Sequence, residues 1–166
     1  MLPDAFTRWL QTHRPDLPFS PYQPAARFGG RQVGWRLRIG RTLFVYRIPP
    51  EKPDIFYIVL IERGDTPRSL HSPLADMVRL LLLVKGSPAG IRWIRGHVAP
   101  TSDRPADALS GERLLAFYQR YLTTVDDGIE NGLQWYGGDL TTFSWAHEKR
   151  KIRPTAAPPP PAEQKG

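Results

Sequence analysis

The chain has no cysteine, and that absence removes several functions at once. Disulfides, a zinc ribbon, an iron–sulfur site and a thiol enzyme are excluded, and a reducing cytoplasm fits. It also lacks any long hydrophobic run. The most apolar helical stretch, Leu80 to Val84, falls far short of the roughly 20 residues that cross a bilayer. Met1-Leu2-Pro3-Asp4 has neither a basic leader nor an apolar region of signal-peptide length, so export by the general route is not expected.

Catalytic signatures are missing too. None of the serines sits in a Gly-x-Ser-x-Gly elbow, and Gly29-Gly30 and Gly137-Gly138 stand outside any phosphate-cradling glycine frame. His13, His71, His97 and His147 fall in four different predicted elements without ligand spacing. From the residues alone, no catalytic, cofactor-binding or metal-ligating group is expected, and the chain reads as a non-enzyme.

What is present is one domain's worth of pattern in 166 residues. Ile55 to Ile61, Ile-Phe-Tyr-Ile-Val-Leu-Ile, is the longest strand-forming run and suits a strand buried on both faces. Val33, Trp35, Leu37 and Ile39 alternate with Gln32, Gly34, Arg36 and Arg38, a strand with one wet face, and Gly40-Arg41 fits a tight turn into a second strand, Thr42 to Ile48. The three strands make an antiparallel meander. Ile91 to Val98 supplies a fourth strand, and Leu133 to Tyr136 with Leu140 to Trp145 a last hairpin or bent edge.

Helical periodicity appears three times. Pro3 to Thr12 carries Phe6, Trp9 and Leu10 on one face. Ser72-Pro73 opens a leucine-rich helix through Val84, apolar enough to be covered on more than one side, and Ser110 opens a third with Leu114, Phe117, Tyr118, Tyr121 and Leu122 on one stripe. Pro15 to Pro24 is dense in proline and reads as an extended surface segment with little pairing, and Asp126-Asp127-Gly128 reads as a helix breaker. The expected fold is a single α+β domain, residues 1–146. Its antiparallel sheet is a three-stranded meander plus one or two further strands, packed by about three helices. Residues 147–166 form a basic, proline-rich tail, expected to be disordered.

The formal charge is +7, of which the tail supplies +3 through Lys149, Arg150, Lys151, Arg153 and Lys165 against Glu148 and Glu163. The globular part is therefore only mildly basic. Within it, Arg31, Arg36, Arg38, Arg41 and Arg47 gather on one hairpin beside Trp35, Phe44 and Tyr46. A hairpin of this kind, around Arg36-Arg41, offers nucleic-acid binding as the alternative function. Strict alternation puts Trp35 opposite the arginines, which favours a solvated or protein-binding face and makes nucleic acid the lesser reading.

Taken in order, Arg8-Trp9-Leu10, Gly34-Trp35-Arg36, Ile58-Val59-Leu60-Ile61-Glu62-Arg63, Ser72-Pro73-Leu74-Ala75 and Ser110-Gly-Glu-Arg-Leu-Leu-Ala-Phe-Tyr-Gln-Arg120 resemble the low-calcium-response protein R family of bacterial type III secretion operons. The resemblance spans about residues 4 to 136. Gly40 to Asp54 is longer than the family pattern, and the tail is additional. The resemblance implies a non-enzymatic cytoplasmic regulator of secretion, chaperone-like in the order of its elements, without cofactors. Its implied partners are proteins of the secretion system: a gatekeeper, a needle-cap chaperone or an apparatus component, with a homodimer also allowed. Trp35, Arg36, Arg38, Tyr118, Arg120 and Tyr121 are the expected partner-binding residues.

Overall fold

A computed structural model describes residues 1–24, 30–63, 73–98, 111–130 and 132–143. The tail, Ser72 and Ser110 as helix caps, His71 and His147 lie outside the described residues.

The first helix, α1 (Ala5–His13), begins where Asp4 accepts the Thr7 backbone N–H at 2.8 Å, so Asp4 is the N-cap and precedes the first turn. Phe6 and Leu10 are buried, and Phe6 meets Tyr46 and Phe56 edge-on at 5.5 Å each. A buried hydroxyl chain adds to this docking. Thr7 Oγ1 donates to Asp4 at 2.9 Å, and that leaves the Tyr46 phenol, 2.7 Å away, to donate to Thr7. Burial pushes the Tyr46 phenol well above its ordinary range, so it stays a neutral donor.

Seven strands follow among the described residues: β1 (Phe19–Tyr22), β2 (Gly34–Ile39), β3 (Thr42–Arg47), β4 (Ile55–Arg63), β5 (Trp93–Val98), β6 (Thr123–Glu130) and β7 (Leu133–Asp139). They form one sheet in the order β1-β2-β3-β4-β5-β7-β6. The meander β2-β3-β4 is antiparallel as expected, turning at Gly40, whose φ of +59° suits glycine. A Cβ on Gly40 would stand 2.4 Å from the Asp76 carboxylate, so this turn is also where α2 (Pro73–Gly86) touches the sheet.

Three expectations are corrected here. The Pro15–Pro24 stretch pairs after all, because β1 is an edge strand and Pro21 needs no ladder N–H there. The Asp126-Asp127-Gly128 triplet does not end a helix but sits in β6, at a bulge between Asp126 and Ile129. Gly128, with φ of +85°, takes up the extra residue. The last hairpin is therefore β6–β7, and Leu140–Thr142 is a single 3-10 turn after it.

The three helices, α3 (Gly111–Tyr121) being the last, pack on one face of the sheet. Alternation decides which side chains meet them: Trp35, Leu37, Phe44, Tyr46, Phe56, Ile58 and Ile94 turn inward and form one cluster with Phe6, Leu80, Leu81, Phe117 and Leu122. Leu80 is fully buried, but Leu82 is 43% exposed, so α2 is covered along one side rather than all round. The architecture is a two-layer α+β domain whose sheet is mostly antiparallel. No helix among the described residues is long and apolar enough to cross a membrane.

Candidate functional site

Strand order places one feature that local pattern does not announce. β4 and β5 are neighbours and run parallel, joined across α2, while every other strand pair is antiparallel. Ligands on open sheets gather outside the carboxyl ends of such strands. Here those ends come apart. The parallel register runs from Ile55↔Trp93 to Ile58↔Gly96 and stops, although β4 continues to Arg63 and β5 to Val98. A bulge falls at the same place: Val45 and Tyr46 of β3 face Leu60 and Ile58, so Val59 has no partner on β3 where the pairing with β5 also stops.

Two buried polar atoms stand at that fork, and neither has a hydrogen-bond partner among the described residues: His97 Nδ1 and the Tyr118 hydroxyl. Buried polar groups are ordinarily paired, so a pair of orphans at one place asks for a cause. Tyr118 comes from α3 on the helix-covered face and lies against Gly96, the last residue of β5 paired with β4. A Cβ there would be 2.4 Å from its oxygen. Burial alone drives this phenol well above its ordinary pKa, keeping its proton in place. His97 comes from the opposite face, with Nε2 3.0 Å from the Val59 carbonyl. A carbonyl can only accept, so Nε2 carries the proton and Nδ1 keeps its lone pair. The imidazole thus bridges to β4 just past the last paired residues, edge-on to Trp135 at 4.8 Å.

Desolvation lowers the His97 pKa below 6.5, and the bond to Val59 opposes that only in part. The group is neutral in the fold while the unfolded chain takes up a proton, so its contribution is intact above about pH 6.5 and declines as pH falls toward the folded value. Stability measured by urea melts is expected to drop on acidification through this window. His97→Gln should flatten that part of the profile, and an unchanged slope would remove His97 as its source.

On the face away from the helices, a ladder of cations and rings crosses four strands. The Arg47 guanidinium stands 5.0 Å from the Tyr57 ring, and Arg95 lies 5.3 Å from Tyr57 and 4.7 Å from Trp135. Arg95 also binds Asp127 at 2.7 Å and Glu130 at 3.1 Å, and its side chain is only 11% exposed. It is a fastener between β5 and β6 and has no free charge to offer.

The sequence-predicted residues do not converge. Arg36 is exposed over the Tyr22 ring and Arg38 is half-buried, both on β2. Trp35 is 6% exposed, turned to the helix side and stacked on Phe19 at 5.0 Å. Tyr118 is 3% exposed. Tyr121 is half-buried against the core, and Arg120 is exposed beside its ring. Since α3 packs over β5 and β6, this second group lies toward the other end of the sheet from β2. Sequence reasoning gave Gly96 and Val59 no functional role and passed over His97 as one of four histidines without ligand spacing. The available signal was slight: a glycine followed by histidine late in a strand. Among the described residues, no group of three His, Asp or Glu side chains could hold a metal ion.

No family model and no curated protein matches the chain. Solved structures do. One is described as a candidate phosphinothricin N-acetyltransferase, with 12% identity and a TM-score of 0.44 over 80% of this chain and 74% of that one. Another is the diaminobutyrate acetyltransferase of Paenibacillus lautus, solved with L-2,4-diaminobutyric acid and coenzyme A, with 12% identity and a TM-score of 0.42 over 75% of this chain and 96% of that one. Both are described as acetyltransferases; neither they nor any family model or curated protein supports the earlier functional expectations, which are corrected. The likeness to the low-calcium-response protein R family does not stand. The non-enzymatic secretion regulator, its secretion-system partners and the nucleic-acid alternative go with it.

Proposed function

We propose that this chain is an enzyme that moves an acyl group from a thioester donor, of the acyl-coenzyme A type, to an amine at the fork between β4 and β5. The observation that carries the reading is the buried Tyr118 hydroxyl, without a partner among the described residues, at the point where the parallel pairing ends. Beyond Ile58 the backbone of β4 has no strand paired to it on the β5 side among the described residues. An extended donor arm bearing amides can hydrogen-bond there as an added strand would. The crossover from β4 leads to the N-terminus of α2, the kind of helix end that favours phosphate groups on such a donor.

The two orphan atoms suit the chemistry. As the amine nitrogen bonds to the thioester carbonyl carbon, the carbon–sulfur bond breaks and the sulfur needs a proton. A phenol held neutral by burial can donate it. The nitrogen must shed a proton in the same reaction, and His97 Nδ1, a free lone pair on a neutral ring, can take it. Proton exchange with solvent then restores both groups. A cytoplasmic location, where acyl-thioester donors are made, accompanies this reading.

Binding tests it without knowledge of the acceptor. Coenzyme A at millimolar concentration is expected to slow amide hydrogen exchange over residues 59–62 and to leave the β2–β3 hairpin unchanged. Exchange at residues 59–62 that is indifferent to coenzyme A and to acetyl-coenzyme A would overturn the proposal.

A further inference from the structure

The other end of the parallel pair carries a second concavity, on the open face of the sheet. Its volume is about 570 Å³, and its floor is formed by Tyr57 and Trp93 beside Ile55. That size lies within the roughly 300–1,000 Å³ of small-molecule sites. Trp93 and Ile55 begin their strands, whereas the fork lies at Ile58↔Gly96 and beyond, so this is a separate place. Room for the Trp93 indole comes from Gly137 on the neighbouring strand, where a Cβ would stand 2.3 Å from the ring nitrogen.

Its rim alternates in sign: Lys52, Asp54, Arg92 and Asp139. The backbone ties these four positions together. Arg92 and Trp93 both donate to the Asp54 carbonyl, at 2.9 and 3.1 Å, Ile55 donates to that of Lys52 at 3.2 Å, and Leu140 donates to that of Arg92 at 2.9 Å. The side-chain charges are less committed. Lys52, Asp54 and Arg92 form no ion pair among the described residues, in contrast to Arg95 and Asp127, which neutralise each other in the same wall. Asp139 is held ionised, chiefly by hydrogen bonds from Thr141 and secondarily by the Arg92 charge.

A rim of this kind repels part of any ligand of a single sign. A ligand carrying both signs meets a partner for each. We infer that the concavity binds a small zwitterion of the α-amino-acid type, its carboxylate toward Lys52 and Arg92, its ammonium toward Asp54 and Asp139, and an apolar side chain on Tyr57 and Trp93. The inference does not depend on acyl transfer.

The probe is L-phenylalanine, titrated into the full chain while the Trp93 indole N–H resonance is followed by NMR and assigned by its loss in Trp93→Phe. Saturable movement of that resonance is expected. N-acetyl-L-phenylalanine and L-phenylalaninamide, each lacking one charge, should bind at least about ten-fold more weakly, a loss on the scale of one charge-assisted contact. The double variant Lys52→Met with Arg92→Met should lose the acid-dependent part of the affinity, and the exposure of both residues makes misfolding a minor concern. No movement of the Trp93 signal overturns the inference. So does equal binding of all three probes, or wild-type affinity in the double variant.

Discussion

Tyr118→Phe is expected to make the protein more stable and less active. The ring is 3% exposed and its hydroxyl has no partner among the described residues, so the wild type carries an uncompensated buried donor. Such a group costs about 1–3 kcal/mol, and phenylalanine keeps the packing while removing the cost. In a domain of this size each kcal/mol raises the melting temperature by about 2–4 °C. Transfer, in contrast, should fall by about 10²–10⁴ in kcat, the range for losing a positioned proton donor, with donor affinity little changed. The two readouts separate two views of the residue. A tyrosine held purely for packing would give the stability gain with no loss of turnover, and a fall in melting temperature would mean that the hydroxyl is satisfied in solution.

Asp76→Ala should have the largest effect on the fold itself. Asp76 is fully buried on α2, yet its carboxylate accepts from the Thr42 hydroxyl at 2.7 Å and from the Arg41 backbone N–H at 3.3 Å, with Arg79 at 3.5 Å. It joins the helix to the β2–β3 turn. Alanine would leave the Thr42 hydroxyl and a turn N–H without an acceptor. Hydrogen bonds to a charged group are worth about 1.5–3 kcal/mol each, so a loss of about 3 kcal/mol or more is expected in denaturant melts. Asp76→Asn, which keeps the shape and one acceptor, should lose less. A loss below about 1 kcal/mol for the alanine variant would show that water replaces the carboxylate and that α2 docks by its apolar side alone.

Asp76 illustrates where sequence reading stops. It is a carboxylate within an apolar helix, but nothing local says that its partner lies at a turn 34 positions away, as Thr42 does. The bulge at Val59 is hidden for a related reason. Within Ile55 to Ile61 every residue is apolar or aromatic, so a one-residue slip leaves no mark in the hydropathy pattern, although it reverses which side chains face the helices. The stripe Phe117, Tyr118, Leu122 was visible as the packing side of α3. Whether a tyrosine in such a stripe finds an acceptor depends on the strand beneath it, and beneath Tyr118 there is Gly96. The fork could not be foreseen either, since a strand's direction relative to its neighbour is set by the crossover and not by its own residues.

The sequence by itself determined the α+β class, the three helices and the antiparallel meander of β2, β3 and β4. Each of these rests on short-range rules: a period near 3.6 or of 2, a glycine turn, and proline breaks. Tertiary structure alone decided that Pro15 to Pro24 contributes an edge strand, that β5 lies parallel to β4, and that the pair opens at Val59. It also left the Tyr118 hydroxyl and one ring nitrogen of His97 without a hydrogen-bond partner among the described residues. Those outcomes rest on which elements become neighbours. Neighbours are chosen by burial of the whole apolar surface, a sum over the chain that no single stretch of residues contains.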